Sequence, residues 1–145
     1  TGSFGKEWMP KRVRDNGVDY ENIAALDIRE YIYNMPTVMA AADIIIGRAG
    51  SATCNEIAAS GTPCILIPSP NVTNNHQEKN ARVLEAAGGA VVLVEQNSSG
   101  QTLFQTACGI LHDREKLASM EQNMAKLGIR DATERIYETI LEICG

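Results

Sequence analysis

The chain has no excess of basic residues. Thirteen Lys and Arg stand against 18 Asp and Glu, for a formal charge of −5 over 145 residues. A sequence-independent grip on nucleic acid phosphates needs clustered cations, so no nucleic acid partner is expected. The small basic group near the start (Lys6, Lys11, Arg12, Arg14) suits solvated surface or contact with anionic lipid headgroups. No C-x-x-C pair occurs among Cys54, Cys64, Cys108 and Cys144, and the two His stand far from them in sequence. That excludes the usual zinc patterns, and no metal or cofactor is expected. The cysteines read as reduced thiols of a cytoplasmic protein, with Cys54 and Cys64 acting as small hydrophobes. No apolar run reaches the ~20 residues that cross a bilayer, and the first residues lack a signal-peptide core. The sequence does not begin with Met, which suits an excised piece of a longer chain.

What is present is an alternation. Short runs that are apolar throughout, at 43–47, 63–67 and 90–94, are followed by helical patterns at 51–60, 74–87 and 101–112. Further helices are expected at 114–127 and 132–143, and shorter ones near 7–14 and 36–42, the latter opened by Pro36. A short strand is expected at 22–26, after a polar and irregular opening of about 20 residues. Gly61 and Gly88-Gly89 mark helix ends. Asp131 and Glu134 fit a capping box, and the last helix is expected to pack Ile136, Ile140 and Ile143 back onto the domain. Strands apolar on both faces, each followed by a helix, require a parallel sheet covered on both sides. The expected fold is therefore α/β, a Rossmann-like single domain over 1–145.

In such sheets ligands sit where strands run out into loops and helix starts. Three loops qualify, at 28–35, 47–53 and 68–77. In "GRAGSAT" (47–53), Gly47 and Gly50 permit a tight turn and close approach by a ligand. Ser51, Ala52 and Thr53 then open a helix whose first N–H groups lack internal partners, a natural anion site. Arg48 adds charge there or pairs with a carboxylate elsewhere. Thr53-x-x-Glu56 also fits a capping box, which makes Thr53 and Glu56 merely a helix end. Beside a phosphate, Glu56 can instead accept ribose hydroxyls. From Thr73 to Lys79 no aliphatic side chain occurs. His76, Gln77 and Asn80 lie close together at a helix start and offer the donors and acceptors that sugar hydroxyls need. The bland alternative is that Asn-rich turns start helices. "EYIYNMP" (30–36) supplies core or cleft wall, with backbone able to hold a nucleobase.

The stretches "YIYNM", "ADIIIGRAGSATCNEIAASGTPCILIPSP", "NVTNNHQEKNARVLEAAGGA" and "DATERI" together resemble the C-terminal half of the MurG family of glycosyltransferases. The resemblance runs from about Tyr31 to Ile140. It implies the C-terminal, donor-binding half of a GT-B enzyme. Such an enzyme uses UDP-N-acetylglucosamine to convert lipid I to lipid II in peptidoglycan synthesis, as a peripheral protein on the cytoplasmic face of the bacterial membrane. It implies uracil reading by the Ile32 backbone with Met35 nearby, diphosphate contact at Ser51, Ala52 and Thr53, and ribose contact at Glu56. It further implies sugar contact at His76, Gln77 and Asn80, with Arg48 and Gly50 as support. His76 stands where some relatives have Gln. The strand and G-G-S-x-G-A loop that open the family's donor half are not found, nor is the acceptor half. No catalytic base is named in this chain, which is expected to be inactive alone, with lipid I and membrane contact supplied by other sequence. Two alternatives stay open: a donor-binding subunit of a two-component N-acetylglucosaminyltransferase, and a non-catalytic α/β nucleotide-binding scaffold.

Overall fold

The computed structural model describes residues 9–144. Two compact units divide the chain at Met35–Pro36. In the first, α1 spans Met9–Asp15; Glu7 and Trp8 of the expected helix lie outside the described residues. The helix closes at Gly17, whose φ of 78° suits glycine and whose N–H reaches the Arg14 carbonyl at 2.8 Å. The expected strand at 22–26 does not form. A 3-10 turn occupies Tyr20–Asn22, and the Leu26 N–H turns back to the Ile23 carbonyl at 2.9 Å. Ile23 and Leu26 stay exposed, so this run has neither a ladder partner nor a face to bury.

The helix α2 spans Met35–Ala41, with Pro36 in its first turn and all but its first residue in the second unit. Three parallel strands follow: β1 (Ile45–Gly47), β2 (Cys64–Leu66) and β3 (Ala90–Val92), in that order across the sheet. Ile45, Cys64 and Ala90 are in register, as are Gly47, Leu66 and Val92. Between and after them run α3 (Ser51–Ser60), α4 (His76–Ala86), α5 (Gly100–Leu111), α6 (Arg114–Ala125) and α7 (Ala132–Cys144). This is the expected α/β arrangement, with each strand trimmed to the residues that share ladder bonds.

Strand alternation divides the core. Cys64 and Leu66 face one way, with Cys54 and Ile57 of α3, Ala81 and Leu84 of α4, and Met124 of α6. Ile65 faces the other way, with Ile110 of α5 and Met120 of α6. Ile57, Ile65, Leu66, Ile110 and Met124 are fully buried, each contributing roughly 1.5–3 kcal/mol. The one buried polar side chain described, Thr62, donates its hydroxyl to the Met39 carbonyl at 2.8 Å. Gly61 ends α3 in the left-handed region, with its N–H on the Ile57 and Ala58 carbonyls.

The last helix does not behave as expected. None of its described residues is buried, and Ile136, Ile140 and Ile143 are half to mostly exposed. Asp131, directly before α7, holds the Arg135 Nε at 3.0 Å. An amphipathic pattern shows that a face suits burial; it does not supply a covering surface within this chain.

Burial pushes the Cys64 thiol up to about 12, with neighbouring Cys54 adding to the rise, and raises Cys54 by burial as well. Cys144 is exposed. A thiol-disulfide reagent should therefore modify Cys144 first in folded protein, and Cys54 and Cys64 only after denaturation, as read by mass spectrometry. A Cβ on Gly128 would fall 2.5 Å from the Ala58 carbonyl oxygen and 3.1 Å from the Ala59 Cα. Gly128→Ala should therefore cost about 1–3 kcal/mol by thermal melting, because only backbone stands in the way.

Candidate functional site

The chain leaves β1 at Gly47 and turns through Arg48, Ala49 and Gly50 into α3. Ala49 is completely buried and anchors the turn. Gly50 is the N-cap, in extended backbone, and the first internal bond runs from the Cys54 N–H to the Gly50 carbonyl at 2.9 Å. The N–H groups of Ser51, Ala52 and Thr53 are therefore without partners inside the helix. No side chain caps this end. By contrast, Ser99 caps α5 through the Thr102 N–H at 3.1 Å, and Asp113 caps α6 through the Lys116 N–H at 3.0 Å. The capping-box alternative required Thr53 to be the N-cap. Thr53 is instead the third residue of the helix, and the Glu56 side chain makes no hydrogen bond among the described residues. Ser51, Ala52 and Glu56 are exposed and Thr53 is half-buried, so the turn is open. Ala52, Thr53 and Glu56 share one face of α3, opposite Cys54, Ile57 and Ala58.

The amide-rich loop after β2 is not the continuous helix expected over 74–87. A 3-10 turn at Thr73–Asn75 precedes α4, with Asn74 and Asn75 both at positive φ (56° and 51°). Asn tolerates this region better than other residues with a Cβ. The double reversal sets His76, Gln77 and Asn80 at the start of α4. The partners of each side chain define its polarity. The Gln77 Oε1 accepts the Ser69 N–H at 2.9 Å, leaving its NH₂ as donor. The Asn80 Nδ2 donates to the Ala49 carbonyl at 3.1 Å, leaving its Oδ1 as acceptor. The His76 Nδ1 meets the Thr73 carbonyl at 2.9 Å, so in the neutral ring Nδ1 carries the proton and Nε2 accepts. The Asn80 bond joins residues 31 apart in sequence and ties α4 to the turn that starts α3.

Arg48 takes the carboxylate alternative. Its Nη1 donates to Glu95 Oε2 at 2.5 Å and to the Ile67 carbonyl at 3.1 Å, with the Pro68 carbonyl at 3.4 Å. The bond from Arg48 holds the Glu95 carboxyl below its usual range. Glu95 was not legible as a site residue. The available signal was its place just beyond β3, on the same sheet edge as the other loops. A cleft of about 350 Å³ lined by Gly47, Arg48, Leu93, Glu95 and Ser98 shares only Arg48 with the expected site residues.

Ile32 and Met35 belong to the first unit and are described with it. Ile32 is half-buried and Met35 is the exposed first residue of α2. Tyr31 and Tyr33, expected as core or wall, are exposed, at 68% and 93%. Their rings meet edge-on with centroids 4.8 Å apart, so they pack on each other rather than into a core. No helix among the described residues is long and apolar enough to cross a membrane.

The description "Glycosyltransferase family 28 C-terminal domain" matches residues 3–136. A UDP-N-acetylglucosamine--N-acetylmuramyl-(pentapeptide) pyrophosphoryl-undecaprenol N-acetylglucosamine transferase of Acetivibrio thermocellus is 49% identical over 118 residues. The match covers 81% of this chain and 32% of the relative. The transferase of the same name from Desulforamulus reducens is 38% identical over 143 residues, covering 99% of this chain and 38% of the relative. The crystal structure of Acinetobacter baumannii MurG is similar with a TM-score of 0.78 at 24% identity, covering 94% of this chain and 39% of that one. The chain thus spans about a third of the length of these relatives.

Asn80→Asp keeps the side chain's shape and removes the donor to Ala49. It should cost about 1 kcal/mol and lower Tm by about 2–4 °C. Amide exchange should quicken at Gly50 and Cys54 while the protection of β2 is retained.

Proposed function

Because the chain belongs to the glycosyltransferase family 28 C-terminal domain family, we propose that it is the donor-binding domain of an inverting N-acetylglucosaminyltransferase of peptidoglycan synthesis. The donor is UDP-N-acetylglucosamine. The acceptor, lipid I, is met by sequence outside this chain, on the cytoplasmic face of the membrane, where the full enzyme acts as a peripheral protein. In the reaction the C4 hydroxyl of the lipid-linked muramoyl sugar attacks the anomeric carbon, its proton passes to a base, and UDP leaves. No base for this step is assigned to this chain, which binds donor weakly and does not turn over alone.

The observation that carries the reading is the uncapped start of α3 with Glu56 one turn along the same face. Peptide N–H groups at Ser51, Ala52 and Thr53 take the diphosphate and stabilise the charge that grows on it as the bond to the sugar breaks. The Glu56 carboxylate, without a competing partner among the described residues, accepts two hydroxyls of the ribose. The sugar meets a defined pattern: a donor at Gln77, and acceptors at Asn80 and His76. A hydroxyl matches each, since it gives one hydrogen and accepts others. Ile32 and Met35 are assigned to the uracil by family pattern alone.

The test is a residue-by-residue NMR titration with UDP-N-acetylglucosamine and, separately, UDP-glucose. The N-acetylated donor should shift amides at 50–56 and 76–80, and bind more tightly than UDP-glucose. Glu56→Gln should weaken binding about 10-fold or more, the worth of charge-assisted hydrogen bonds, with little change in Tm. Unchanged spectra at millimolar donor would leave a scaffold domain. A large fall in Tm with intact affinity would make Glu56 structural.

A further inference from the structure

Glu95 has no part in the donor contacts proposed above, yet it sits on the edge of the sheet that carries them. Arg48 is the first residue after β1, Ile67 and Pro68 are the first two after β2, and Glu95 is the third after β3. From the exit of β1, one guanidinium nitrogen reaches the other two: the carbonyls after β2 and the carboxylate after β3. The backbone ladder cannot do this. Its last bond between β1 and β2 is the Ile67 N–H to the Gly47 carbonyl, and beyond it the chain of β1 departs towards α3. Past that bond two side-chain ties reach the turn: Asn80 on the Ala49 carbonyl, and the Arg48 strap.

We propose that Glu95 is a positioning residue that acts through Arg48: it holds the guanidinium across the three strand ends and so fixes the Gly50–Thr53 turn against the diphosphate. The inference rests on the donor-site reading and adds a residue that reading does not use. It opposes a direct alternative, in which Arg48 itself binds phosphate and Glu95 competes for it. The two differ in sign. Loss of a strap loosens the turn and weakens donor binding; loss of a competitor frees Arg48 and tightens it.

The experiment uses Glu95→Gln, Glu95→Asp, Arg48→Gln and the Glu95→Gln/Arg48→Gln double variant of this chain. Hydrogen exchange at Ser51–Cys54 is measured without ligand, the Kd for UDP-N-acetylglucosamine by NMR titration, and Tm in parallel. Glu95→Gln should speed exchange of the Cys54 amide, which bonds to Gly50, and weaken the donor about 3–10-fold. Its Tm should stay within about 2 °C, because the pair is solvent-exposed. Glu95→Asp should restore most of the affinity, and the double variant should be no weaker than Arg48→Gln alone. Tighter donor binding, unchanged exchange and Kd, or additive losses in the double variant would each overturn the proposal. If the unaltered chain fails to bind the donor, the donor reading falls. The exchange comparison still decides whether Glu95 holds the turn.

Discussion

The parallel pairing of β1 with β2 is the constraint on which the rest of the second unit depends. Parallel strands point their outgoing ends to one edge, so the loops after Gly47, Leu66 and Val92 emerge side by side. The polar groups assigned to the donor or to its support in the second unit, from Arg48 through Glu56, Gln77 and Asn80 to Glu95, lie on those exits or on the helices they feed. The pairing is itself held by burial on both faces. Cys64 and Leu66 are sealed by α3, α4 and Met124, and Ile65 by α5 and Met120. A sheet solvated on one side would leave those apolar strands in water.

The start of α3 contrasts with other helix ends of the unit. Those are closed by the chain itself: Ser99 and Asp113 cap α5 and α6, and Gly61 and Gly88 terminate α3 and α4. At the exit of β1 the helix starts without a side-chain cap. The polar side chains nearby are spent on carbonyls and on each other, through Asn80 to Ala49 and Arg48 to Glu95. Arg48 is thus paired rather than a bare cation. On the proposed reading, attraction for a diphosphate comes from peptide dipoles at short range. The chain's net charge of −5 acts against an anionic ligand only weakly, since charges more than ~8 Å apart are largely screened at physiological salt.

Much of this was legible in the residues alone. The uninterrupted apolar runs placed all three strands. The glycines at 61 and 88 stopped the right helices, because both positions need positive φ. The helix start at Ser51 was readable from small residues after a glycine turn. Three expectations failed for a shared reason: local pattern carries no information about partners. Ile23 and Leu26 looked like a strand but had no ladder to join. α7 looked like a packed helix but has no described residue buried. Tyr31 and Tyr33 were expected as core or cleft wall, and the core half of that fails, since both are exposed and pack on each other. The capping-box alternative was lost on frame. Thr53 and Glu56 have its spacing, but burial of Ala49 and the Gly50 N-cap begin the helix earlier and leave the Glu56 side chain without a hydrogen bond among the described residues.

What the sequence by itself determined is the set of short-range choices: which runs bury on both faces, where glycine must turn the chain, and which residues can donate or accept. Those follow from side-chain chemistry and backbone sterics within a few residues. What only the tertiary structure decided is polarity and support. Gln77 became a donor and Asn80 an acceptor because Ser69 and Ala49 took the other end of each amide. Arg48 became the partner of a carboxylate because Glu95, 47 residues away, came within reach of it. An amide or a guanidinium has several equivalent uses, and the one it adopts is set by whichever partner folding brings to it.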